Sequence, residues 1–168
     1  MGNDTSLIIP VAEAAFIQPF PELYLHRHIT IRAPFKQLHE LIKDDYHTLA
    51  TLCASFSPFP FTLARLARFA ESGVLYLEPE PTEPFMALYQ ALSTRYAEPP
   101  AKHPTVDFHL TIVHQQSSDL DQLEAEFYRS YGASLPIQAV ATELSLYEKR
   151  AEQWFKEASF PFGQGTVA

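Results

Sequence analysis

HITIRAPF at residues 28–35 and HLTIVH at residues 109–114 repeat one pattern, His, apolar residue, Thr, Ile, with the two histidines 81 positions apart. In an extended chain, side chains two apart point to the same face. Each stretch therefore places a His and a Thr together on one side of a strand, with an apolar pair, Ile29 and Ile31 or Leu110 and Ile112, on the other. Arg32 follows Thr30 at the same spacing and is expected on the His28 face.

The segments around the two motifs follow the same order. SLIIPV at 6–11 reads as a buried strand ahead of the first motif. From Lys36 to Ser55, Leu38, Leu41, Ile42, Tyr46, Leu49, Leu52 and Cys53 recur at steps of three and four, which predicts one face of an amphipathic helix. FTLARLARF at 61–69 and GVLYLE at 73–78 read as strands joined by a turn at Glu71, Ser72 and Gly73. In the second half, Thr82 with Pro84 predicts a capped helix start, and Phe85, Leu88, Leu92 and Tyr96 share its buried face. The Pro-rich loop EPPAKHPT at 98–105 precedes the second motif. Ser118 with Asp121 then resembles a capping box, and Gly132 closes the helix after it. Residues 136–147 alternate, with Val140, Thr142, Leu144 and Leu146 on one face, and 154–160 form a last strand. The chain reads as one domain over 1–168 with a duplicated architecture, a first half of about 1–70 and a second of about 71–168.

Composition narrows the function classes. With 168 residues, 46% apolar and 19% charged, the chain can bury a core of its own. No stretch approaches the roughly 20 apolar residues of a membrane span. The expectation is a soluble, cytoplasmic monomer with no membrane partner. Cys53 is the single cysteine, which excludes an intrachain disulfide and a cysteine-rich zinc site. A net charge of −8 argues against coating long nucleic acid, since affinity for a polyanion comes largely from Lys and Arg. A small anionic substrate needs only a few local donors.

Two His-x-Thr strands, the segment GVLYLEPEPTEPFMALYQAL at 73–92 and the closing ELSLYEKRAEQWFKEASFPFG at 143–163 together resemble the two-histidine (2H) phosphoesterase superfamily. That group includes the RNA 2',3'-cyclic phosphodiesterases historically called 2'-5' RNA ligases. The resemblance implies an α+β, bilobal duplicated fold, with two antiparallel-rich sheets around a central cleft and helices on the outside. It implies that His28 and His109 are catalytic and that Thr30 and Thr111 hold phosphate oxygens. Some relatives place an arginine three residues after the second Thr, where this chain has His114. The substrate class implied is a small cyclic phosphodiester, an RNA end or a 2'-5' linkage, with no cofactor.

The chemistry needs these residue types. Hydrolysis of a cyclic phosphodiester requires one group to take a proton from water and another to give one to the leaving oxygen. A free imidazole titrates at about pH 6.5, so two of them can hold opposite protonation states at modest cost. Thr hydroxyls can donate to phosphoryl oxygens, and Arg32 can add positive charge. Two other readings stand beside this one. A non-catalytic nucleotide or RNA-end module would keep the cleft without turnover, and a metal-dependent hydrolase would use the His26-x-His28 pair with His109 or His114. Tyr24 and Phe35 could stack a base, although Phe35 is expected in the core. Lys102 and His103 fall in the loop before the second motif and are expected to be solvated.

Overall fold

A computed structural model of the chain describes residues 4–17, 27–69, 71–96, 106–114, 119–151 and 153–163. Its strands are β1 (Thr5–Pro10), β2 (His28–Arg32), β3 (Phe59–Phe69), β4 (Val74–Glu80), β5 (Leu110–His114), β6 (Ile137–Ala141), β7 (Glu143–Arg150) and β8 (Gln153–Pro161). The helices are α1 (Lys43–Ala54), α2 (Glu83–Arg95) and α3 (Leu120–Tyr131). The strands form one sheet in the order β6-β3-β4-β5-β2-β1-β7-β8, antiparallel throughout.

This corrects the expectation of two sheets around a cleft. The two motif strands, β2 and β5, pair with each other at Ile29 and Leu110, and that contact joins what would be two four-stranded sheets into one. Each quartet mixes strands from both sides of residue 70: β6, β3, β4 and β5 on one side, β2, β1, β7 and β8 on the other.

The helices bury their apolar stripes on one core. Leu49 and Leu52 of α1, Phe85, Leu88 and Leu92 of α2 and Phe127 of α3 join Ile29, Ile31, Leu110 and Ile112 in a single cluster. Phe85 stands edge-on to both Phe59 and Phe61 with ring centroids 5.1 Å apart, a favoured aromatic geometry. Because strand side chains alternate, burying the Ile and Leu positions of β2 and β5 turns His28, Thr30, His109 and Thr111 to the other face, where all four stay partly exposed.

Several local expectations change. The helix expected from Lys36 begins only at Lys43, after a 3-10 turn over Leu38–Glu40. Asp45 accounts for the new start: its carboxylate accepts from the Ile42 backbone N–H at 3.0 Å and from Lys36 Nζ at 2.9 Å. Thr82 precedes α2 but makes no side-chain cap, while Pro84 sits in the first turn as expected. Asp119, not Ser118, caps α3, accepting from the Asp121 and Gln122 backbone N–H groups; Ser118 lies outside the described residues.

The single strand expected over 136–147 is two strands, broken at Thr142. β6 pairs with β3 near one edge of the sheet and β7 pairs with β1 near the other. Alternation holds in β6, where Ile137, Ala139 and Ala141 are buried and Val140 is 46% exposed, but stops in β7, where Leu144, Ser145, Leu146, Tyr147 and Glu148 are all buried. The turn before β4 is as expected, with Gly73 at φ 70, a conformation that costs glycine little.

Candidate active site

The antiparallel pairing of Ile29 with Leu110 sets the geometry. Continued one step to either side, that register sets His28 against Thr111 and Thr30 against His109, which lies just before β5. Residues directly opposite in an antiparallel pair have Cβ atoms about 4.5–5.5 Å apart, and diagonal neighbours lie about 7–8 Å apart. The two histidines are such a diagonal pair. By this spacing the four residues, from distant parts of the sequence, form a square on the sheet face.

Both motif strands bulge at the same point. In β2, Thr30 pairs with Ile8 and Arg32 with Leu7, so Ile31 is an extra residue. In β5, Thr111 pairs with Tyr76 and Val113 with Leu75, so Ile112 is the extra residue. A bulge bends its strand and re-aims the side chains beyond it. The square is therefore flanked symmetrically, each bulge lying one residue past its Thr. This also separates Arg32 from the square. It sits opposite Leu7, a core residue, and is itself buried, so the register does not place it in line with His28 and Thr30.

Surroundings fix the His109 ring. Its Nδ1 lies 2.8 Å from the Asp107 carbonyl oxygen. A carbonyl only accepts, so Nδ1 carries the proton and Nε2 is the ring nitrogen not engaged by this bond. The ring meets Phe69 edge-on at 5.2 Å and Tyr76 at 5.3 Å, and Phe69 and Tyr76 stack at 4.3 Å. Burial pushes the Tyr76 hydroxyl up from its ordinary value, and the charges of Glu78 and Asp107 push it further, so Tyr76 stays a neutral phenol beside the ring.

Three residues here lie outside both His-x-Thr motifs. Phe69 and Tyr76 looked like ordinary strand aromatics. Arg27, between His26 and His28, had one visible signal: a charge at the strand parity of Ile29 and Ile31, the face turned to the core. Phe35 packs edge-on against Tyr96 at 4.8 Å, the core role expected of it. His26, Tyr24, Lys102 and His103 lie outside the described residues, as does the side chain of His114, whose backbone ends β5 opposite Val74. Among the described residues no group of three or more His, Cys, Asp or Glu is placed to hold a metal ion, and no helix is long and apolar enough to cross a membrane.

Known proteins share this arrangement of strands. Residues 12–153 match the family model described as the 2'-5' RNA ligase superfamily. The chain belongs to the 2'-5' RNA ligase superfamily. That is the family the two motifs resemble, and the matched span contains both of them. Among curated relatives, a Bacillus licheniformis protein provisionally named as a phosphoesterase is 27% identical over 93 residues, 55% of this chain and 54% of its own. A Bacillus pumilus protein with a similar provisional name is 30% identical over 95 residues, with the same coverage. The chain thus spans about half the length of the curated relatives it matches. Solved structures share the superfamily fold more fully. Escherichia coli LigT complexed with 3'-AMP has a TM-score of 0.62 at 14% identity, covering 98% of this chain and 100% of that one. The protein TT0787 of Thermus thermophilus has a TM-score of 0.66 at 15% identity, covering 96% and 99%.

Proposed function

We propose that this protein is a metal-independent phosphoesterase that hydrolyses a small cyclic phosphodiester, such as the 2',3'-cyclic phosphate of a nucleotide or RNA end, or a 2'-5' linkage. The observation that carries the reading is the pairing of Ile29 with Leu110, which puts both His-Thr pairs on one partly exposed face.

In the proposed reaction, a water oxygen attacks phosphorus while one imidazole Nε2 takes its proton. The bond from phosphorus to the leaving ribose oxygen breaks, and the other imidazole, entering as imidazolium, gives that oxygen its proton. The product is a phosphomonoester and the two histidines end with their protonation states exchanged. The Thr30 and Thr111 hydroxyls donate to the non-bridging oxygens, as groups already in place for charge that grows in the transition state. Arg32, buried just past the first bulge, adds positive charge from below the face rather than as a direct ligand. Glu78 and Asp107, whose charges reach Tyr76, add negative charge beside the His109 ring, and together with the net charge of −8 this supports a small substrate over long RNA.

The test is incubation with 2',3'-cyclic nucleotides in EDTA, with product followed by chromatography. Turnover that survives EDTA and is lost in both His28→Ala and His109→Ala supports the proposal. Binding without turnover makes the protein a nucleotide-binding module, and activity abolished by EDTA makes it a metal-dependent hydrolase.

A further inference from the structure

The contact on which the site depends is narrow. Among the described residues β2 pairs with β5 only at Ile29 and Leu110, whereas β1 pairs with β2 from Leu7–Arg32 to Pro10–His28. Something besides the ladder must hold the second motif in register.

Arg27 is placed to do so. It lies immediately before His28, and its guanidinium is buried, with the residue 7% exposed. Nη1 donates to the Thr111 carbonyl at 2.9 Å and to the Ile112 carbonyl at 3.3 Å. Nε and Nη2 donate to the Ile17 carbonyl at 3.3 and 3.2 Å. The Arg27 backbone is tied in turn, its carbonyl accepting from Val11 N–H at 2.9 Å. Successive carbonyls in a regular strand point to opposite sides. One nitrogen reaches both here because β5 bulges between Thr111 and Val113, which disrupts the ladder and leaves carbonyls that need other donors.

We propose that Arg27 is a positioning residue for the second half of the site: by bonding the Thr111 and Ile112 carbonyls from the root of β2, it clamps the bulged strand at the register that sets His109 and Thr111 against Thr30 and His28. Arg27 touches no substrate. The guanidinium suits this task because its fork of donors is rigid and serves several carbonyls at once, where an ammonium is a single flexible point. The catalytic consequence rests on the phosphoesterase reading above; the clamp itself does not.

The experiment compares Arg27→Lys and Arg27→Met with wild type in the full chain. Amide hydrogen exchange is read at Leu110, Thr111 and Ile112 of β5 and, as a reference, at Leu144 and Leu146 of β7. The clamp predicts that Arg27→Met loses about tenfold or more of its protection in β5 with β7 unchanged, and that Arg27→Lys is intermediate. With a 2',3'-cyclic nucleotide, kcat falls by about tenfold to a hundredfold in Arg27→Met while KM moves by less than about threefold, because misplacement of catalytic groups acts on the transition state. Uniform loss of protection in β5 and β7 overturns the proposal by reducing Arg27 to a general stabiliser, and so does unchanged β5 protection. If Arg27→Met does not fold, Arg27→Lys decides by the same β5-against-β7 comparison. Should wild type show no turnover, the phosphoesterase reading fails and exchange alone decides the clamp.

Discussion

Ile29 and Leu110 face each other across the centre of the sheet, fully buried, and join the two His-x-Thr strands into one antiparallel pair. Their burial on the helix-covered side dictates that the polar residues on either side of each look outward together. The square of two histidines and two threonines is a consequence of this one pairing.

If the imidazoles carry the protons, His28→Ala and His109→Ala should each lower kcat by about 10²–10⁴-fold. Thr30→Val and Thr111→Val remove a hydroxyl with little change of shape and should cost about 10-fold to 100-fold each, mainly in kcat. Rates against 2',3'-cyclic nucleotides, with circular dichroism to verify folding, measure this. The wild-type pH profile should be bell-shaped, since one ring must be neutral and the other charged; a sigmoid would mean that a single group carries the reaction.

Asp45 anchors the corner where the chain leaves β2 and enters α1. Burial alone would push its carboxyl up, but hydrogen bonds from the Ile42 N–H, the Lys36 ammonium and the Tyr96 hydroxyl, with the Lys36 charge, outweigh burial and hold it below the ordinary carboxylate range. A carboxyl depressed on folding stabilises above its unfolded value, about 3.9 for Asp, and that stability disappears as pH falls through the folded value. Asp45→Asn should therefore be less stable than wild type by about 1–3 kcal/mol at neutral pH. The gap should close below about pH 4. Urea unfolding at several pH values measures it, and a gap that stays constant into acid would contradict the account.

Cys53 is fully buried on α1 and burial pushes its thiol up to about 12. Thiolate is the reactive form. A disulfide reagent at mildly alkaline pH should label native protein at the rate of unfolding and label it at once in denaturant; rapid native labelling would mean that α1 opens readily.

Gly163 packs where α1 ends. Its N–H donates to the Cys53 carbonyl at 3.2 Å, and a Cβ built there would lie 2.0 Å from the Ala54 carbonyl oxygen. Gly163→Ala must displace backbone, and the thermal unfolding midpoint should fall by about 4 °C or more.

Much of this was legible in the sequence because it rests on alternation. The strands over HITIR and LTIVH, and the expectation that each His and Thr share a face, need only the period of two. The union of the two sheets was not legible, since a pairing between residues so far apart in the chain leaves no local trace. Nor was the bulge after Thr30, which removes Arg32 from the row that simple parity assigns it. The alternation of Val140, Thr142, Leu144 and Leu146 concealed a strand break, because β6 buries one face while β7 is buried on both. The role of Asp45 also escaped notice, as a carboxylate that caps α1 and pairs with Lys36 looks like any acidic residue in a first turn.

The central claim is tested most directly by a crystal structure of the protein with inorganic phosphate or orthovanadate bound. The account predicts the anion on the exposed face of β2 and β5, with Nε2 of His28 and of His109 on opposite sides of it and both Thr hydroxyls on its oxygens. Imidazoles turned to opposite faces of the sheet, or an anion bound elsewhere while this face stays unoccupied, would contradict it.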